Sequence, residues 1–215
     1  MKQVPVKGSL TLHDLERQWN KLRKDILGAY RHFRLFRDIV TSYEQRPSDF
    51  RRFLVFWNLT QLANRDAALH GLYRFYDNRS DTLTLRSFLR AVGASVPLIA
   101  EKGLRLPDAS QLKRDLEMVD AKTNPRVATL IRYRHNFLAH RNRELALNAE
   151  AFVQRERLLY DDVQTTFGEG IDILERYGYL FGVDALARQV MPPGELVKIL
   201  DAVNRTGKKP KAPTS

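Results

Sequence analysis

Cysteine is missing from all 215 residues, so disulfides, thiolate nucleophiles and cysteine-based zinc sites are excluded. The absence fits a reducing compartment. No apolar run approaches the ~20 residues needed to cross a bilayer. The N-terminal stretch MKQVPVKGSLTLHDLERQW turns polar early, with neither an apolar core nor a small-residue cleavage site. A cytoplasmic chain with no membrane partner is the expectation. Reactive motifs are scarce too. There is no glycine-rich phosphate loop, no HExxH and no GxSxG around any serine. His135 and His140 are five positions apart, whereas chelation from one helix face prefers four. Asp161-Asp162 reads as a solvated face. Neither a metal nor a cofactor is implied.

What the chain has is positive charge and helical periodicity. Lysine plus arginine total 36 against 25 acids, a net charge of +11. Such a surplus favours a polyanion through counterion release, nucleic acid foremost, with a merely solvated surface as the alternative. A hydrophobic fraction of 43% is enough for a sizeable core. The length suits one domain, with or without a small appendage.

Thr11 opens a helical pattern with Asp14 as capping partner. Leu12, Leu15, Trp19, Leu22, Ile26, Ala29, Phe33, Phe36, Val40 and Tyr43 then form one 3-4 stripe. After Pro47-Ser48 a second helix is predicted over 49–76, an aromatic-rich core element carrying Phe50, Phe53, Leu54, Phe56, Trp57 and Leu62. The turn DNRSD at 77–81 ends it. Thr84 looks like the N-cap of a short helix, 93–108 reads as an irregular exposed loop, and Asp108 or Ser110 starts a helix to about Ala121. Asn124-Pro125 is a strong start signal for a helix to about Asn142. A last long helix is predicted from Ala151 to about Tyr179, closed by Gly182, and a short one follows Pro192-Pro193 with Leu196, Ile199, Leu200 and Val203. No stretch alternates like a strand. The expected fold is all-α, a bundle of long antiparallel helices with a short C-terminal one. Its expected divisions are an extension at 1–9, the main helical domain at 10–182, an appendage at 183–205 and a basic disordered tail at 206–215.

The helix opened by Pro125 carries the most informative stretch, RYRHNFLAHRN at 132–142. Arg134 and His140 are six positions apart, about 240° of rotation and about 9 Å of rise, so they do not share a helix face. Across a two-fold axis, two such helices could bring arginine and histidine from both copies into one cleft, with Phe137-Leu138 supplying apolar contact. A His/Arg site suits RNA cleavage: an imidazole takes the 2′-OH proton and a guanidinium holds the phosphate oxygens. A second histidine could protonate the leaving 5′-oxygen. Two blander readings stand beside this. His140 could bond the last carbonyls of its helix, and Arg132, Arg134, Arg141 and Arg143 could be a plain basic face.

RHNFLAHRN resembles the arginine-x(4–6)-histidine motif of the HEPN superfamily, in which a polar residue follows the arginine; here that residue is His135. The Ala-His pair at 139–140, together with LYRFYDNRSDTLTLRSFLRAV at 72–92, is similar to the branch of AbiU-type abortive-infection proteins. The resemblance covers residues ~10–182. It implies a helical bundle, a homodimer through the helix 125–142, and a metal-independent endoribonuclease acting as a toxin or phage-defence effector. It casts His140 as general acid or base, Arg134 as phosphate clamp and His135 as the orienting polar residue. RNA contacts would fall to Arg132, Asn136, Arg141 and Arg143. An antitoxin or defence-system partner is implied as well. One departure stands out: relatives neutralised by tyrosine modification carry that tyrosine two residues after the histidine, where this chain has Asn142. The alternative within the same fold is a non-catalytic RNA-binding or protein-interaction module.

Overall fold

Thr11 and Asp14 cap each other's backbone N–H groups at 3.1 Å, which fixes the start of α1 (Leu12–Gln45). In the computed structural model the described residues are 10–79, 81–134, 159–183 and 195–206. Further elements are α2 (Pro47–Phe50), a 3₁₀ turn (Arg51–Phe53), α3 (Leu54–Tyr76), α4 (Leu85–Ala94), α5 (Val96–Glu101), α6 (Ala109–Met118), α7 (Pro125–Tyr133), α8 (Tyr160–Arg176), a second 3₁₀ turn (Gly178–Phe181) and α9 (Glu195–Thr206). Among the described residues there is no strand, and the fold is all-α. None of these helices is long and apolar enough to cross a membrane.

Contacts divide the chain into two compact units, and the division falls inside α1 at Leu27/Gly28 and inside α3 at His70/Gly71. The first unit holds the start of α1, the end of α3, and α4 to α8. Its core includes Leu15, Trp19, Leu72, Phe88, Val127 and Phe167, all essentially without solvent contact. Each such side chain contributes about 1.5–3 kcal/mol by leaving water. Trp19 is the polar-tipped member. Its Nε1–H donates to the Leu174 carbonyl at 2.9 Å, so the indole is buried without an orphaned donor. Behind it the chain turns at Gly182, whose φ of 69° lies in the left-handed region that favours glycine.

The same unit contains a fully buried carboxylate, Asp115 of α6. It accepts from Gln111 Nε2 at 2.8 Å, from Tyr177 Oη at 2.9 Å and from Arg176 Nε at 3.2 Å. Three donors offset the cost of removing the charge from water, and they tie α6 to the end of α8. Burial pushes the Tyr177 phenol up, and donation to Asp115 pushes it further.

The second unit holds the rest of α1, α2, the first half of α3 and α9. Ile39, Phe50, Trp57, Leu196 and Leu200 form its buried cluster. Phe50 meets Tyr43 and Trp57 edge-on, with centroids 5.4 and 5.2 Å away. Arg46 bridges Asp49 at 2.5 Å and Asp201 at 2.7 Å, joining the α1–α2 corner to α9.

Several expectations need correction. At the end of α1, Ile39 and Ser42 face inward while Val40 is half-buried and Tyr43 exposed. The buried positions there step by three, at 33, 36, 39 and 42, instead of alternating three and four. The helix expected over 49–76 is broken by the 3₁₀ turn, and Phe53, Leu54, Phe56 and Leu62 are exposed rather than core. Residues 96–101, expected as loop, form α5, because Pro97 occupies its first turn, where no N–H is needed. The helix from Asp108 stops at Met118 rather than Ala121, the last long helix gives way to a 3₁₀ turn after Arg176, and Ile199 is exposed. The expected caps at Thr84, Asp108 and Asn124 are all present.

Candidate functional site

The candidate site lies at the last described residues of α7, and three anchors place them. Asn124 caps the helix by accepting from the Arg126 N–H at 3.0 Å, with Pro125 at the first helical position. Val127 and Leu130 bury one face, and Arg126 pairs with Glu169 of α8. Arg134 follows as the C-cap with helical dihedrals (φ −56°, ψ −52°).

The partner of Arg134 comes from the other side of the sequence. Tyr76, the last residue of α3, is buried and donates its hydroxyl to the Thr166 carbonyl at 2.9 Å. Burial pushes this phenol up, well clear of ionisation near neutrality. The approach is close because residue 170 is glycine. A Cβ there would lie 2.7 Å from Phe75 Cε1 and 2.8 Å from Tyr76 Oη. With Tyr76 fixed, the next residue is fixed too. Asp77 receives the Arg79 N–H on Oδ1 at 3.3 Å and Arg134 Nη1 on Oδ2 at 2.5 Å. The carboxylate is 14% exposed and the guanidinium 29%, so the pair is partly screened but not free to wander.

The result is a relay of fixed positions. α8 holds Tyr76, Tyr76 sets Asp77, and Asp77 orients Arg134. A guanidinium held in this way has lost most of its rotamer freedom before any anion arrives. Two residues earlier, Arg132 is exposed and donates Nη2 to Thr129 Oγ1 at 3.1 Å. Of the residues expected at the site, Arg132 and Arg134 are therefore placed, and they stand together at the end of α7. His135, Asn136, His140, Arg141 and Arg143 lie outside the described residues, as does the expected extension of α7 to Asn142. Sequence reasoning gave Asp77 no role at the site, although it stands within the stretch 72–92 that carries the family resemblance, where a helix ends in an acid.

The model of one family, HEPN_AbiU2, described as AbiU2, matches residues 12–195. No curated protein and no solved structure matches the chain.

Proposed function

The chain belongs to the AbiU2 family of HEPN proteins, an abortive-infection family, and from that membership we propose that it is a metal-independent endoribonuclease. The observation that supports this reading is the Arg134 guanidinium held by Asp77, six residues before His140 in the sequence frame R-x5-H. Two copies of the helix 125–142 meet in the proposed dimer, so that arginine and histidine from both chains share one cleft.

In the proposed reaction His140 takes the proton of a ribose 2′-OH as its oxygen bonds to the adjacent phosphorus. The P–O5′ bond breaks, and a second imidazole, from His135 or from the other copy of the motif, delivers a proton to the 5′-oxygen. The products are a 2′,3′-cyclic phosphate and a 5′-hydroxyl. Arg134 neutralises the charge that develops on the phosphoryl oxygens. Arg132, Asn136, Arg141 and Arg143 hold the strand, helped by the net charge of +11. An antitoxin or another defence component would restrain the activity.

The test is incubation of total RNA and tRNA with wild type and with His140→Ala, in EDTA. The reading requires wild-type cleavage, cyclic-phosphate ends, loss of cutting in the variant, and resistance of a substrate whose 2′-hydroxyls are replaced by hydrogen. Equal cutting of that deoxy substrate would sink the mechanism. RNA binding without cleavage, unchanged in His140→Ala, would mark the chain as a non-catalytic binding module of the same fold.

A further inference from the structure

The first half of α3 presents apolar side chains to water in a regular array. Val55 is 73% exposed, Phe56 58% and Leu59 62%, with Leu62 and Ala63 beside them. At 100° per residue these positions fall on one face centred on Leu59, opposite the buried Trp57. The face is bounded by charge of opposite sign. Arg52 lies seven residues before Leu59 and Asp66 seven after, so each is about 10 Å from the centre along the axis. Arg52 sits in the 3₁₀ turn that precedes α3, and Leu54, with helical dihedrals (φ −54°, ψ −44°), carries the chain on into the helix.

We propose that this face of α3 pairs with the same face of a second copy of the chain, antiparallel, with the two-fold axis at Leu59. The charge pattern selects that arrangement. Around an axis at Leu59, Arg52 comes level with Asp66 of the second copy, Val55 with Ala63 and Phe56 with Leu62, each pairing occurring twice. A parallel pairing would instead set Arg52 against Arg52 and Asp66 against Asp66. In the single chain Arg52 lies over its own Phe53 ring at 5.2 Å and Asp66 accepts from the adjacent Arg65 at 2.9 Å. Both remain exposed enough to be shared.

The area is adequate. The apolar side chains of the face, Val55, Phe56, Leu59, Leu62 and Ala63, present on the order of 500 Å² per copy, the upper range for a monomer's largest patch. Two copies give on the order of 1,000 Å² before the polar rim is counted, which reaches the lower bound for a specific interface. This face belongs to a different stretch of the sequence from the motif at 132–142, and the pairing does not rest on the ribonuclease reading.

The test exploits the absence of native cysteine. Leu59→Cys puts one thiol on the axis, and under mild oxidation it is expected to cross-link the full chain to a covalent dimer at micromolar concentration. Asn58→Cys, exposed but turned about 100° away, should cross-link far more slowly. Leu59→Glu should halve the particle mass by light scattering, from dimer to monomer, or from tetramer to dimer if the motif helices also pair. Arg52→Glu and Asp66→Arg should each weaken association about tenfold, and the double variant should recover most of it. Equal cross-linking at 58 and 59, an unchanged mass in Leu59→Glu, or additive charge variants would overturn the proposal.

Discussion

Arg134 and Asp77 are 57 positions apart in sequence, yet Nη1 of one donates to Oδ2 of the other at 2.5 Å. The ion pair converts a flexible arginine into a group of set direction. That geometry leads to a positioning test. Asp77→Asn keeps shape and one acceptor oxygen but loses the charge, and RNA cleavage is expected to fall about 10–100-fold with helicity unchanged. In the double variant with Arg134→Ala, cleavage should be no lower than in Arg134→Ala alone. Additive losses would show that Asp77 acts elsewhere.

Two glycines in helices should respond in opposite ways to alanine. Gly170→Ala drives a Cβ against Phe75 and Tyr76, and should cost about 1–3 kcal/mol of stability while lowering cleavage through Tyr76 and Asp77. Gly28→Ala in α1 meets nothing within 4 Å and should stabilise by about 0.5–1 kcal/mol. Thermal melts of both variants check this, and the same sign for both would refute it.

Asp115 separates loss of charge from loss of acceptor. Asp115→Ala strands Arg176, Tyr177 and Gln111 without their common acceptor and should cost about 3–5 kcal/mol. Asp115→Asn retains one oxygen and should cost about 1–3 kcal/mol. Urea titrations followed by circular dichroism give both values.

The Tyr177 phenol carries a pH dependence of known sign. Its folded-state value is raised above the unfolded value of about 10. The folded chain thus holds this proton more tightly. The resulting stabilisation is complete below pH ~10 and drains away as the pH climbs from there toward the folded value. Stability of wild type should therefore drop more steeply above pH ~10 than that of Tyr177→Phe. Parallel slopes would count against the linkage.

Legibility in the sequence followed the reach of local physics. The α1 stripe from Leu15 to Phe36 and the caps at Thr11, Thr84, Asp108 and Asn124 depend on neighbours within a turn or so, and they could be read directly. α3 could not, because its first half is apolar on two faces and pattern alone does not say which face the chain itself covers. Trp57 goes in while Leu59 and Phe56 stay out. α5 was hidden because Pro97 reads as a breaker anywhere except the first turn it occupies. At the candidate site the basic spacing was visible, whereas nothing local pairs Arg134 with the acid that orients it, which comes from a distant helix end. Asp115 was equally silent: two of its three donors, Arg176 and Tyr177, lie more than sixty positions further along the chain.

The bond from Tyr76 to Thr166 also has a meaning in time. The hydroxyl is made ninety positions before the carbonyl it needs. At about 5–20 residues per second of synthesis, the interval is on the order of 10 seconds. Throughout it Asp77 lacks the buried anchor that sets it, and Arg134, once synthesised, has no fixed mate. A chain still on the ribosome thus emerges with its arginine unaimed, and the last long helix of the first unit completes the setting only once Thr166 has followed.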